Sequence, residues 1–241
     1  MTLRRFLHAL QFLTRLPAPR FAEFSPEDLS RSAVWFPLVG ILIGAALAAA
    51  VWVGGQASPW IGALIGLVVW VWITGGLHLD GLGDVADALA AAHRSPERFL
   101  EVLRDPHVGA FGAMAITLQL IAKLVALAEL AGTPAWPALV LVPAWARWGT
   151  LVWSLTVPPL ASGSGERFSW QISRPTVAVQ GLVLVLASAW LAPILLVALL
   201  VVWAITFYWR YRLGGITGDC LGASVEMTET ALLLAVALAM A

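Results

Sequence analysis

Charge is what this chain has least of. Only 12% of its 241 residues are Asp, Glu, Lys or Arg, where soluble domains carry about 25%. The few charges cancel to a formal net of zero, so no basic field favours nucleic acid as a partner. There is one cysteine, Cys220, which excludes an internal disulfide and gives no sign of an oxidising compartment. The apolar runs do not alternate with polar residues, which argues against a lipid-facing β-barrel. No long apolar centre follows the start either. Leu3 to Leu16 is broken by Arg4, Arg5, His8, Gln11 and Arg15, unlike a cleavable signal. No internal repeat, low-complexity tract or linker divides the chain, and residues 1–241 read as one domain.

What is there is apolar: 60% of the residues are hydrophobic, 13 of them Trp. Continuous runs of this kind predict an all-α, polytopic membrane bundle, because only helices and closed barrels satisfy their backbone inside lipid. Runs of membrane length fall near 33–53, 58–79, 110–131, 135–158 and 220–240. A longer one, 177–209, exceeds a single span, and Pro193 near its middle allows it to fold into a hairpin. Ahead of them, residues 3–16 predict an amphipathic helix in the interface, with Leu3, Phe6, Leu7, Leu10 and Leu13 on its apolar face and Leu16 a further candidate for it. Ser25-Pro26-Glu27-Asp28 resembles a helix start. With a cytoplasmic amino terminus and the hairpin, about seven crossings result. Arg4, Arg5, Arg15, Arg20, Arg31, Arg94, Arg98, Arg104, Arg167, Arg174, Arg210 and Arg212 then share the cytoplasmic side, and the opposite loops near 54–57 and 132–134 hold no Lys or Arg.

The chemistry-bearing residues gather in three glycine-containing stretches on that side. In the first, 75–89, Asp80, Asp84 and Asp87 are spaced to share one helix face. Like charges so placed repel, an arrangement that makes sense around a hard cation such as Mg²⁺, which takes oxygen ligands, waters and phosphate oxygens together. A solvated acidic face is the plain alternative. The second stretch is Arg104-Asp-Pro-His107-Val-Gly109-Ala-Phe-Gly112, and the third Gly214-Gly-Ile-Thr217-Gly218-Asp219-Cys220-Leu-Gly222. Glycine-rich turns at helix starts can offer backbone N–H groups to phosphate, which includes Thr217 and Gly218 among the candidate phosphate binders. Asp219 and Glu226, seven residues apart, share a helix face that Glu229 could extend, and opposite the aspartate triplet they would complete one Mg²⁺ site or build two. Asp219, His78 and Glu226 are candidate proton acceptors. Asp219 could equally cap a helix, and Glu226 could equally pair with Lys123 or Arg147 inside the bilayer. Lys123 could instead pair with Glu129. Arg104, His107, Arg147 and Lys123 are the candidate counter-charges for a diphosphate. Gly40/Gly44, Gly62/Gly66 and Gly218/Gly222 have helix-packing spacing, a pattern that arises easily among 21 glycines.

Four segments together resemble the cobalamin synthase (adenosylcobinamide-GDP ribazoletransferase) family: Gln11-Phe-Leu-Thr-Arg-Leu-Pro17, Gly75-Gly-Leu-His-Leu-Asp-Gly-Leu-Gly-Asp-Val-Ala-Asp87, 104–112 and 214–223. They occur in the family's order across nearly the whole chain, with Cys220 where the family has a threonine-like residue. The resemblance implies a Mg²⁺-dependent multi-pass enzyme of the bacterial inner membrane, with its site on the cytoplasmic face. Its substrates would be adenosylcobinamide-GDP and α-ribazole or its 5′-phosphate, its products adenosylcobalamin or its 5′-phosphate and GMP. A homodimer, or an assembly with other cobalamin-pathway enzymes, is the expected wider context. A transporter lined by Lys123, Arg147 and Glu226 is the competing expectation, against which stand the acidic triplet at a membrane edge and the lack of matching broken helices.

Overall fold

The structure, a computed structural model, describes residues 2–19, 26–92, 95–105, 107–160 and 171–240. Arg20, Ser25, Arg94 and Arg167, used above, lie outside them. Eleven helices are described: α1 Thr2–Leu13, α2 Pro26–Ser32, α3 Phe36–Gly55, α4 Pro59–Thr74, α5 Leu77–Ala92, α6 Pro96–Val102, α7 Ala110–Leu130, α8 Trp136–Thr156, α9 Arg174–Leu191, α10 Ala198–Arg212 and α11 Gly218–Met240. Among the described residues no strand forms; the only bridge joins Pro159 to Ile216. Six helical segments are long and apolar enough to cross a membrane, or seven if α4 and α5 count as one broken span.

α1 carries its expected amphipathic character but ends at Leu13, three residues early. Thr14 Oγ1 donates to Leu10 O at 2.6 Å and closes the last turn. Of the expected apolar face, Leu10 and Leu13 are buried, Phe6 and Leu7 half-buried and Leu3 exposed, and His8 and Ala9 are buried beside them. Stacking of Phe12 on Phe36 and an edge contact of Phe6 with Trp35 hold α1 to the start of α3.

The run 58–79 is not one straight span. α4 ends at Thr74, Gly75 and Gly76 adopt φ of 65° and 74°, and α5 leaves at 86° to α4. Left-handed φ at two successive residues is open to glycine at little cost. The corner is tied down by α1's tail, where Arg15 N donates to Ile73 O at 2.7 Å. α5 therefore leaves the line of α4 and packs against α6, α7 and α11.

The run 177–209 breaks at Ala192–Pro193, as the proline allows. Tryptophans of α8 set the direction of both halves. Trp148 Nε1 donates to Val177 O and Trp145 Nε1 to Ser188 Oγ, so α9 runs against α8. Trp153 Nε1 donates to Val202 O and Arg210 Nε to Thr156 O, so α10 runs with it. The two halves are a hairpin. α8 lies at the centre of the bundle, buried along most of its length, and packs on α3, α9 and α11. Gly40 and Gly44 of α3 face α8 so closely that a Cβ at Gly40 would lie 2.6 Å from Ala144 Cα.

Candidate active site between α5 and the start of α11

Two helix beginnings meet at one end of the bundle. α5 lays Gly81 against α11: a Cβ there would lie 3.0 Å from Asp219 O. That approach sets Asp219, in the first turn of α11, beside Asp80 and Asp84. Asp219 is not the cap of its helix. Thr217 is, its Oγ1 accepting from Cys220 N at 3.2 Å, which leaves the Asp219 carboxylate to face its neighbours. Burial, then the charges of Asp80, Asp219 and Asp87 in that order, push the Asp84 carboxyl up to about 6. Burial and like charge act together here, and no cation is among the influences on Asp84 from the described residues.

Asp87 behaves differently from its two partners in the triplet. Its Oδ2 accepts from Gly109 N at 2.7 Å and its Oδ1 from Gly112 N at 2.9 Å. It thereby closes the N-terminus of α7, where Gly109 offers no side chain of its own. The glycine N–H groups expected to await phosphate in the 104–112 stretch are satisfied by this aspartate instead. His107 turns back on its own loop, with Nδ1 2.6 Å from Asp105 Oδ1. Arg104 is exposed nearby.

Among the described residues, no three His, Cys, Asp or Glu side chains stand close enough to hold a metal ion unaided. The donor chemistry nevertheless fits Mg²⁺. That ion is ordinarily held by one or two carboxylates and completed by water and substrate phosphate. Asp80 and Asp84, with Asp219 opposite, are hard oxygen donors whose mutual repulsion a dication would relieve.

The intramembrane charges form a separate group. Lys123 Nζ reaches Glu226 Oε2 at 2.7 Å and Glu229 Oε2 at 2.6 Å, and lies 4.1 Å from the centre of the Trp70 ring. Arg147, fully buried, pairs with Glu229 Oε1. Gln119 Nε2 donates to Glu226 Oε2 and to Thr230 Oγ1. Two cations and two carboxylates make a neutral quartet, the form in which charge is tolerated in lipid. The Lys123–Glu129 pairing therefore does not form, and Glu226 takes the interhelical ion-pair alternative. Glu229, expected to extend the Asp219–Glu226 face toward a metal, is instead neutralised by Lys123 of α7 and Arg147 of α8. One link joins the quartet to the cluster: Arg147 Nη2 approaches His78 Nδ1, on α5, at 3.5 Å.

Against this geometry stand the comparisons. The sequence profile described as cobalamin-5-phosphate synthase matches residues 5–237. A protein of Thiobacillus denitrificans named adenosylcobinamide-GDP ribazoletransferase is 53% identical over 236 residues, 96% of this chain and 94% of that one. Its namesake in Laribacter hongkongensis is 54% identical over 235 residues, 96% of each chain. The one in Brevibacillus brevis is 37% identical over 243 residues, 95% of this chain and 96% of that one. No solved structure matches.

Proposed function

The chain belongs to the cobalamin-5-phosphate synthase family, and from that premise we propose that it joins adenosylcobinamide-GDP to α-ribazole, or to its 5′-phosphate, with release of GMP. It is a membrane-embedded transferase of the final assembly of cobalamin. The observation that best supports the chemistry is the Asp80–Asp84–Asp219 cluster, drawn from two helices, with no cation from the described residues among the influences on Asp84.

In the proposed reaction a ribazole hydroxyl attacks the phosphorus on the cobinamide side of the diphosphate. An O–P bond forms, the P–O bond to GMP breaks, and the hydroxyl proton passes to a carboxylate. Asp219 is the acceptor we favour, since Glu226 is held by Lys123 and Gln119. Asp80 and Asp84 would hold Mg²⁺. The ion, when bound, supplies charge stabilisation to the diphosphate as the nucleotide leaves. Arg104 and, once released from Asp105, His107 would meet the outer phosphate oxygens. Arg147 and Lys123 act from behind by holding the helices in register. Thr217 and Gly218 shape the first turn of α11. The bacterial inner membrane, with this end of the bundle toward the cytoplasm, is the setting we assign.

GMP release by purified protein in nanodiscs tests the reading, with adenosylcobinamide-GDP and α-ribazole supplied with and without Mg²⁺. The expected result is GMP and a corrinoid product of matching mass, both dependent on Mg²⁺ and both lost in Asp84→Asn. Wild-type protein that binds the corrinoid and releases no GMP would refute it in favour of transport.

A further inference from the structure

A cavity of about 240 Å³ opens beside the carboxylate cluster. One wall is apolar and comes from the interfacial helices and the start of α3: Phe12, Leu29 and Phe36. The Phe12 and Phe36 rings are nearly parallel there, 14° apart with centroids at 5.8 Å. The other wall carries His78 and Asp219. We infer that this cavity seats the aromatic base of the acceptor nucleoside, and that Leu29, Phe12 and Phe36 determine which bases are accepted. The inference rests on the proposed function for the identity of the acceptor.

Size decides first. Cavities for drug-sized ligands run from about 300 to 1,000 Å³, so this one is of a size to enclose a fused bicyclic ring and too small to enclose a corrin ring or a whole guanosine diphosphate. Chemistry decides next. A diphosphate needs cations or several N–H donors, and among the described residues the lining offers no Lys or Arg. A flat, apolar base gains from aromatic contact and from leaving water. Placement decides last. Asp219 lines the cavity as well as the cluster, so a nucleoside seated by its base brings its sugar hydroxyls to the carboxylate proposed to take the proton. The helix ending in Leu13 would then have a second task besides lying in the interface, that of walling the acceptor site.

The test is calorimetric binding to the full chain in nanodiscs, using the α-ribosides of 5,6-dimethylbenzimidazole and of benzimidazole, and separately adenosylcobinamide-GDP. In Leu29→Trp, a larger ring is pushed into the cavity. The dimethylated riboside should lose roughly tenfold or more in affinity, the unmethylated one distinctly less, with the corrinoid unchanged. Equal loss for both ribosides, no loss, or a matching loss for the corrinoid would each overturn the inference, as would a wild type that binds neither riboside. A lipid chain as the true occupant gives the no-loss result. If Leu29→Trp does not fold, Phe12→Leu decides. By widening the cavity it should narrow the affinity gap between the two ribosides, and an unchanged gap rejects the seat. GMP release is read in parallel. Riboside binding that responds as expected without GMP rejects the transfer chemistry and keeps the seat, and GMP release with unresponsive binding does the reverse.

Discussion

Asp84 and Asp87 sit one turn apart on α5 and meet opposite surroundings. Asp84 is repelled by its neighbours, whereas Asp87 is satisfied by two N–H donors. An aspartate carboxyl normally titrates at 3.8, and that of Asp84 at about 6. Between those values the folded protein holds a proton that the unfolded chain has lost. Stability accordingly falls as pH rises through that window and stays lower above it. Metal-free wild type should melt higher at about pH 5 than at about pH 7.5. Asp84→Asn should flatten that difference and melt higher than wild type at the upper pH, while losing GMP release. Added Mg²⁺ should raise the wild-type melting point and move the variant less. Asp87→Ala should do the contrary. It leaves two helix-terminal N–H groups unmet and should cost about 2 kcal/mol or more, read as a lower melting point at every pH. Lys123→Met removes the cation from between Glu226 and Glu229. It should cost about 3–5 kcal/mol, seen as loss of monodisperse protein in detergent. The triplet was legible as a carboxylate face from spacing alone. Asp219 was legible too, as a further carboxylate to face the triplet. That Asp87 gives both oxygens to the N-terminus of α7 was not, because it depends on how α5 packs against that helix.

At the scale of elements, the three small-residue pairs separate. Gly40 and Gly44 let α3 reach the backbone of α8, and Gly62 lies against Gly54 and Gly55 across the α3–α4 turn. Gly222 has ordinary room: a Cβ there would lie 3.5 Å from its nearest neighbour, His78 Cα. Gly40→Leu should force the α3–α8 pair apart and lower the melting point sharply, while Gly222→Ala should change it by no more than about 0.5 kcal/mol equivalent. Spacing marked all three pairs alike, since it records which residues share a face and not what the face meets. The α4–α5 corner escaped for a similar reason. Averaged hydropathy runs smoothly through Gly75 and Gly76, and the bend needs the chain from α1 to receive it at Ile73 O.

For the whole molecule, the helix directions put the 104–112 and 214–222 stretches at one end and the 56–58 turn at the other. Orientation in the membrane is open to a direct test, because the sole cysteine is buried and gives no background. Ala57→Cys should react with a membrane-impermeant maleimide in intact cells. His107→Cys should react only after permeabilisation. The reverse pattern would invert the assigned topology.

The sequence by itself determined the membrane class, the hairpin and the family, because these depend on local properties: apolar length, a proline in a long run, contiguous motifs. Tertiary structure decided which charged residues belong together. Glu229, Lys123, Glu226 and Arg147 come from three helices and are neutral only as a group. Asp219 reaches Asp84 only because Gly81 lets α11 close on α5. Coulomb interaction depends on distance in space, and in a helical bundle the partners of a charge are set by which helices touch.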